Sequence, residues 1–304
     1  MSGLPDAGTN PSIDARPDGD PGVDVAAIPP GCVAERGMVD RPDDVVHDQI
    51  RVLYVLASDN PDRARDTNGQ ICNSVRGFAT WFQARATAYL RFDTHDGLLD
   101  VGFVRLEKTD AELRGTDPNN TSIATGTAFV RERIELELEA MGHIAANKLY
   151  AVYYEGSSVY ACGGGAYPPL IVDRVGAMYL GGVPPGVTGT CGDNRPWGQP
   201  NLVPNYVDYG MLHELVHSLG FVPQSAPNQH ASGHVFDAAS GEPNRDLMYS
   251  PRTSQDPGWS VDAQGGLLLD IGSDDYFTTS PALDLQKSSI LAPLPQGAER
   301  PIGW

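Results

Sequence analysis

The chain has 304 residues, of which 40% are hydrophobic, so it is long enough for one large domain or two of ordinary size with a packed core. Its 25 prolines and 34 glycines indicate a loop-rich fold and argue against a helical bundle. The formal net charge of −18 argues against binding to nucleic acid or to an anionic membrane surface, and it favours cationic partners only weakly.

The four cysteines are widely spaced and form no CxxC pair, so a zinc site built from cysteines is not expected. We interpret the cysteines as two disulfides, formed in an oxidising compartment, for which three connectivities are possible. The alternative is that all four are thiols in a cytosolic protein. No apolar run reaches the ~18 residues of a membrane helix, and no signal peptide is visible at the N-terminus. We interpret the sequence as a mature form with an added start methionine, and hence as a secreted or cell-envelope-attached protein.

The first elements follow a Pro-, Gly- and Asp-rich segment, residues 1–40, whose composition predicts a flexible linker. The segment DQIRVLYVLAS then carries apolar residues on both faces, which predicts a buried strand. Apolar residues recur at helical spacing over residues 71–86, with Asn68 as a plausible cap.

Further along, LLDVGFVRLE and KLYAVYYEG are predicted strands, with an amphipathic helix over residues 125–142 between them. After a short strand-like VGAMYLGG, residues 205–220 form a predicted helix that ends at Gly220, and the rest of the chain is irregular. The alternation of strands and helices predicts an α/β (α+β) fold with a twisted mixed sheet, two long helices, and the helix that ends at Gly220.

That last helix carries the most informative motif, HELVH. His213 and His217 lie one turn apart on the same face, so both can present a ring nitrogen to one ion. Glu214 lies about 100° further around the axis, where it can reach a metal-bound water. Zinc held by three protein ligands lowers the pKa of that water to about 7, and a carboxylate beside it takes its proton. The motif therefore predicts a catalytic role for Glu214; surface histidines on an ordinary helix are the alternative.

HELVHSLG at 213–220, followed by DLMYS at 246–250, resembles the metzincin clan of zinc endopeptidases, over residues 48–280. The resemblance implies one zincin-like catalytic domain, 41–304, with an upper subdomain at 41–220 and a lower subdomain at 221–304. It also implies a monomeric, zinc-dependent endopeptidase that acts on a protein or peptide, with Met248 in a methionine turn below the metal.

The third ligand departs from the clan's ordinary pattern. The usual position, three residues after the glycine, is Pro223, which cannot bind a metal. Resemblance to a bacterial secreted group with a GHxxD block assigns His234, and His230 is the alternative. Asp237 could accept a hydrogen bond from a ligand's free N–H, act as a ligand, or be a loop residue. Tyr249 lies beside the methionine and not two residues after it, so it receives no catalytic role.

The glycine-rich CGGGAYPP and VGAMYLGG resemble the strand that binds an extended peptide in this clan. Cys162 and Cys191 flank this region, and a bridge between them would fix the loop before the active helix. A bridge from Cys32 to Cys72 would then tie the N-terminal segment to the first helix.

Two further alternatives stay open. Asp270, Asp274 and Asp275 are acidic enough to suggest Ca²⁺, but they lack the spacing of an EF-hand loop, and a solvated acidic turn is the simpler interpretation. A zincin-fold module that binds a surface polymer or a protein without cleaving it is the alternative function. The presence of Glu214 argues against such a module.

Overall fold

The structure, a computed structural model, describes residues 28–114, 130–158, 161–166, 174–183, 188–220, 222–230, 233–277 and 284–300. The helices are α1 (Gln70–Ala86), α2 (Asp110–Arg114), α3 (Val130–Ala140) and α4 (Tyr206–Gly220). The strands are β1 (Gln49–Leu56), β2 (Tyr89–Leu90), β3 (Thr94–His95), β4 (Leu98–Leu99), β5 (Val101–Arg105), β6 (Lys148–Tyr154), β7 (Gly163–Gly164), β8 (Val175–Tyr179), β9 (Gln229–His230), β10 (His234–Val235) and β11 (Leu291–Ala292).

A five-stranded sheet in the order β5-β1-β6-β8-β7 forms the centre of the fold. β5, β1, β6 and β8 run parallel, and β7 pairs antiparallel with β8 at the edge. The predicted α/β class with a mixed sheet is therefore confirmed, and most of the paired strands are parallel. The strand predicted from LLDVGFVRLE is interrupted at the buried Asp100, whose carboxylate bonds to Arg41. As a result β4 pairs with β3, whereas β5 pairs with β1.

Both faces of the sheet are covered, because β1 and β6 are buried along their whole length. Alternate residues of β1, such as Val52 and Tyr54, pack in one cluster with α1 and α4. The residues between them, such as Leu53 and Val55, pack in a second cluster with α3. Continuous apolar runs of this kind are typical of parallel strands with helices on both faces.

The N-cap of α1 lies one residue after the predicted cap, Asn68. Gly69 occupies the N-cap position at a φ of 87°, a conformation that favours glycine. Asn68 still contributes, because its side-chain oxygen accepts a hydrogen bond from the amide of Gln70 at 2.9 Å. The helix ends at Ala86, where Thr87 takes a left-handed conformation.

Residues 28–40, which the composition assigns to the linker, pack against the sheet. A disulfide joins Cys32 to Cys72 of α1, and the amide of Phe103 donates to the carbonyl of Gly37 at 2.7 Å. Asp40 forms an ion pair with the buried Lys148 at 2.8 Å. These contacts place residues 28–40 with the folded part of the chain, while residues 1–27 lie outside the described residues.

The segment after α4 is mostly irregular, as predicted, and forms two-residue strands and short 3₁₀ helices. Its last part returns to the first half of the chain, because β11 pairs with β2. The guanidinium of Arg91 donates to the carbonyls of Ser289 at 2.7 Å and Leu291 at 3.1 Å. The predicted lower subdomain therefore shares contacts with the upper one.

Two observations bear on the protein's environment. Both predicted disulfides, Cys32–Cys72 and Cys162–Cys191, are present, which indicates an oxidising or extracellular environment. In the described part of the chain, no helix is both long enough and apolar enough to cross a bilayer.

Candidate metal centre

Three histidines from two elements converge on one point. His213 and His217 lie one turn apart on α4, and β10 contributes His234. The Nε2 atom of His213 lies 3.1 Å from that of His217 and 3.2 Å from that of His234, and the third separation is 3.3 Å. This group could hold a metal ion.

The orientation of His213 is set by the backbone below it. Its Nδ1 lies 2.7 Å from the carbonyl oxygen of Leu247. A carbonyl oxygen can only accept, so Nδ1 carries the proton and the neutral ring keeps a lone pair on Nε2. Carbonyl contacts of this kind fix the tautomer of metal-binding histidines.

Burial favours the neutral form of the two helix histidines. Burial, with a smaller contribution from the nearby His234, lowers the pKa of His213 to about 3. Burial also lowers the pKa of His217 well below its ordinary value, with smaller contributions from His213 and His234. Neutral imidazoles are the form that binds a metal ion.

Glu214 faces a cavity of about 530 Å³ that the three histidines also line. Burial raises the pKa of Glu214 to about 8, and the positive charge of Arg131 acts in the opposite direction. Arg131 lies in α3 and also lines the cavity, where Glu135 holds its guanidinium at 2.7 Å. A carboxylate whose pKa lies near neutrality, beside a possible metal site, is typical of a general acid–base group.

The walls of the cavity come from the sheet edge and from aromatic side chains. The glycines of β7 line one side, next to the Cys162–Cys191 disulfide. On the other side, the ring of Trp259 packs 5.1 Å from that of His213 and 5.8 Å from that of Tyr206. The cleft therefore combines an edge strand with an aromatic wall beside the histidine group.

The turn around Met248 contacts the site through Leu247, whose carbonyl accepts from His213. Met248 is fully buried, and its amide donates to the carboxylate of Asp246 at 2.7 Å. Asp246 also accepts from the amide of Ile271 at 2.8 Å and from the hydroxyl of Tyr276 at 3.1 Å. Burial raises the pKa of Asp246 to about 7, although these hydrogen bonds act against the increase.

The remaining predicted residues lie nearby but outside the histidine group. His230 pairs with His234 across the β9–β10 ladder, and its ring lies 6.5 Å from that of Phe236. Asp237 caps a 3₁₀ helix, since its Oδ1 accepts from the amides of Ala239 and Ser240. Tyr249 donates its hydroxyl to the carbonyl of Pro257 at 2.8 Å.

The acidic loop is not the solvated turn expected from the sequence. Asp270 and Asp275 are buried, at 2% and 0% exposure. The carboxylate of Asp270 accepts hydrogen bonds from four successive backbone amides, those of residues 274–277. Burial raises the pKa of Asp270 to about 6. The loop is thus organised by its own backbone.

Sequence reasoning missed three residues of the site. Arg131 and Trp259 occupy segments with no motif, so their positions follow from the tertiary fold alone. Asp246 had a local signal, because it lies two residues before the turn methionine and Asp side chains often bond to the amide two residues on. No protein-family model matches the chain, and a search of curated proteins finds no match.

Proposed function

We propose that this chain is a zinc-dependent endopeptidase of the metzincin type, with His213, His217 and His234 as zinc ligands and Glu214 as general base and then general acid. The convergence of three imidazoles beside Glu214, all lining one open cleft, is the observation that carries the proposal. The HExxHxxG motif and the methionine turn at Met248 add support from the sequence.

The spacing of the three Nε2 atoms suits zinc. Tetrahedral coordination at the usual zinc–imidazole distance of about 2.0–2.1 Å requires nitrogen atoms about 3.3–3.4 Å apart. The observed separations are 3.1, 3.2 and 3.3 Å. Among the described residues the group contains three imidazoles and no fourth ligand. Three protein ligands with one open coordination position are typical of catalytic zinc sites and not of structural ones.

A bound zinc ion would supply Lewis-acid chemistry, polarising a water molecule and a scissile carbonyl. Glu214 would accept the proton of the attacking water and pass it to the leaving amine. Its raised pKa favours uptake of the proton from water, while Arg131 favours the ionised form needed at the start. The carbonyl of Leu247 accepts from Nδ1 of His213 and holds its ring in place.

β7 supports a peptide as the substrate. It is the edge strand of the sheet, and in the described part of the chain β8 is its one strand partner. An extended peptide can add to such an edge through main-chain hydrogen bonds. The glycines of β7 line the same cavity as Glu214, so a peptide on this edge would pass over the histidine group.

The test compares zinc content and cleavage of an unstructured protein for the wild type, Glu214→Gln and Glu35→Gln. Glu35 is an exposed glutamate outside the cleft and serves as the matched control. We expect Glu214→Gln to retain zinc and to lose cleavage by about 10²–10⁴-fold, the usual contribution of a general base. Glu35→Gln should match the wild type.

Two outcomes would overturn the proposal. One is a wild type that binds no zinc after reconstitution. The other is a wild type that binds zinc and cleaves no substrate, with Glu214→Gln indistinguishable from it; that result would favour the binding module.

A further inference from the structure

The third histidine lies in a segment with little regular structure, of which residues 222–230 and 233–237 are described. Within it, the amide of Val235 donates to the carbonyl of Met248 at 2.8 Å. The amide of Phe236 donates to the carbonyl of Asn228 at 3.0 Å. The residue after His234 is thus held by the methionine turn, and the next one by Asn228.

Asn228 is in turn held by a buried carboxylate. Asp275 accepts from the backbone amide of Asn228 at 2.8 Å and from its side-chain amide at 3.1 Å. Asp275 is 0% exposed, and its own amide donates to the carboxylate of Asp270 at 3.1 Å. Asn228 therefore rests on a loop that is itself fixed.

The same loop reaches the other side of the site. The hydroxyl of Tyr276 accepts from the amide of Asp270 at 2.8 Å and donates to Asp246 at 3.1 Å. Asp246 holds the turn that contains Leu247, the carbonyl partner of His213. Residues 270–277 thus connect the segment that carries His234 to the turn that orients His213.

Burial raises the pKa of Asp275, and the hydrogen bonds from Asn228 act in the opposite direction. The nearby carboxylates of Asp274 and Asp237 raise the pKa further. A buried carboxylate is unfavourable unless hydrogen bonds compensate for its lost hydration. The hydrogen bonds that Asp275 accepts from Asn228 connect it to the segment of His234, because the carbonyl of Asn228 accepts from the amide of Phe236.

We infer that Asp275 is a positioning residue for the third metal ligand, His234, and acts through its paired hydrogen bonds to Asn228. The inference rests on the zinc site proposed above. Replacing a residue that hydrogen-bonds and orients a metal ligand typically lowers metal affinity by about 10–100-fold. Asp275 should therefore determine how tightly the histidine group binds zinc.

The donor and acceptor pattern of this pair permits an exchange test. In Asp275→Asn, an amide replaces the carboxylate, and it keeps a hydrogen bond to the side chain of Asn228 only if that side chain turns over and accepts through its oxygen. In Asn228→Asp, two carboxylates meet instead. The double variant Asn228→Asp/Asp275→Asn restores one donor and one acceptor with the same total charge.

The measurement is the zinc dissociation constant, by competition with a chelator of known affinity, with melting curves of the metal-free proteins alongside. We expect Asp275→Asn to weaken zinc binding about 10–100-fold and the double variant to recover most of the loss. Asn228→Ala, which keeps the backbone contact, should lose less and serves if Asp275→Asn does not fold. Asp44→Asn is the control, since Asp44 accepts from two amides in a different turn.

A lower melting temperature of metal-free Asp275→Asn with wild-type zinc affinity would overturn the inference and leave a purely structural role. Failure of the exchange variant to recover affinity while both single variants lose it would also overturn it. Absence of zinc binding by the wild type would instead reject the proposed function, which separates the two results.

Discussion

His230 and His234 face each other across β9 and β10, yet their rings have different surroundings. The ring of His234 joins those of His213 and His217, at centroid distances of 5.1 and 4.7 Å, while that of His230 lies near Phe236. The sequence alone left both histidines open as ligands. Neither histidine lies in a segment with regularly spaced apolar residues. The direction of each ring therefore depends on tertiary contacts, such as the hydrogen bond between Val235 and Met248.

The two loop histidines give a matched pair of variants. We expect His234→Ala to lose bound zinc on dialysis, because two imidazoles on one helix do not complete a three-ligand site. His230→Ala should retain about one zinc ion per chain, since its ring lies outside the group. Zinc content by atomic absorption checks both; loss of zinc in His230→Ala alone would reassign the third ligand.

β7 and α4 approach each other so closely that side chains do not fit between them. A Cβ on Gly165 would lie 2.5 Å from the backbone oxygen of Glu214 and 2.8 Å from the Cβ of His217. A Cβ on Gly163 would instead meet the carboxylate of Glu214, 2.4 Å from Oε1. The glycines at 163 and 165 therefore let α4 lie directly against the sheet edge.

This difference predicts distinct effects for two alanine variants. Gly163→Ala should displace the Glu214 side chain, lowering cleavage by up to about 10²-fold while zinc content and melting temperature stay near wild type. Gly165→Ala should lower the melting temperature, because it clashes with helix backbone. Gly258→Ala is the control, since Gly258 lines the same cavity with open space around it. Unchanged turnover in Gly163→Ala would contradict this account.

Elements whose apolar residues recur at regular spacing were predictable from the sequence. Elements defined by pairing between distant segments were not. β1, β6, α1 and α4 follow from buried runs or helical spacing. The pairing of β2 with β11 joins residues about two hundred positions apart through two-residue strands, which carry no period. Asp100 interrupts a predicted strand because Arg41, distant in sequence, pairs with it. On α4 the metal motif was readable because i and i+4 share a face, whereas the cleft walls depended on tertiary packing.

At the scale of the whole molecule, the net charge of −18 is not confined to the solvated surface. Several acidic side chains near the histidine group are buried, among them Asp246, Asp270 and Asp275. Burial raises the pKa values of all three, and that of Glu214 to about 8. The buried histidines have lowered pKa values, so acids and bases at this site change stability in opposite directions as pH varies.

The raised carboxyl pKa values and the lowered histidine pKa values together predict that the metal-free protein loses stability between pH 7 and pH 9. A carboxyl group with a raised pKa keeps its proton in the folded protein at a pH where the unfolded chain has lost it. The stability that this proton contributes is lost as the pH rises through the folded pKa of Asp246, about 7, and that of Glu214, about 8. The histidines change stability in the opposite direction, but mainly below their ordinary pKa of 6.5. Urea unfolding with a chelator present should give a free energy lower by about 1 kcal/mol at pH 9 than at pH 7. Glu214→Gln should flatten this slope and Glu35→Gln should not; equal slopes in the wild type and Glu214→Gln would show that Glu214 is already ionised at pH 7 in the metal-free protein.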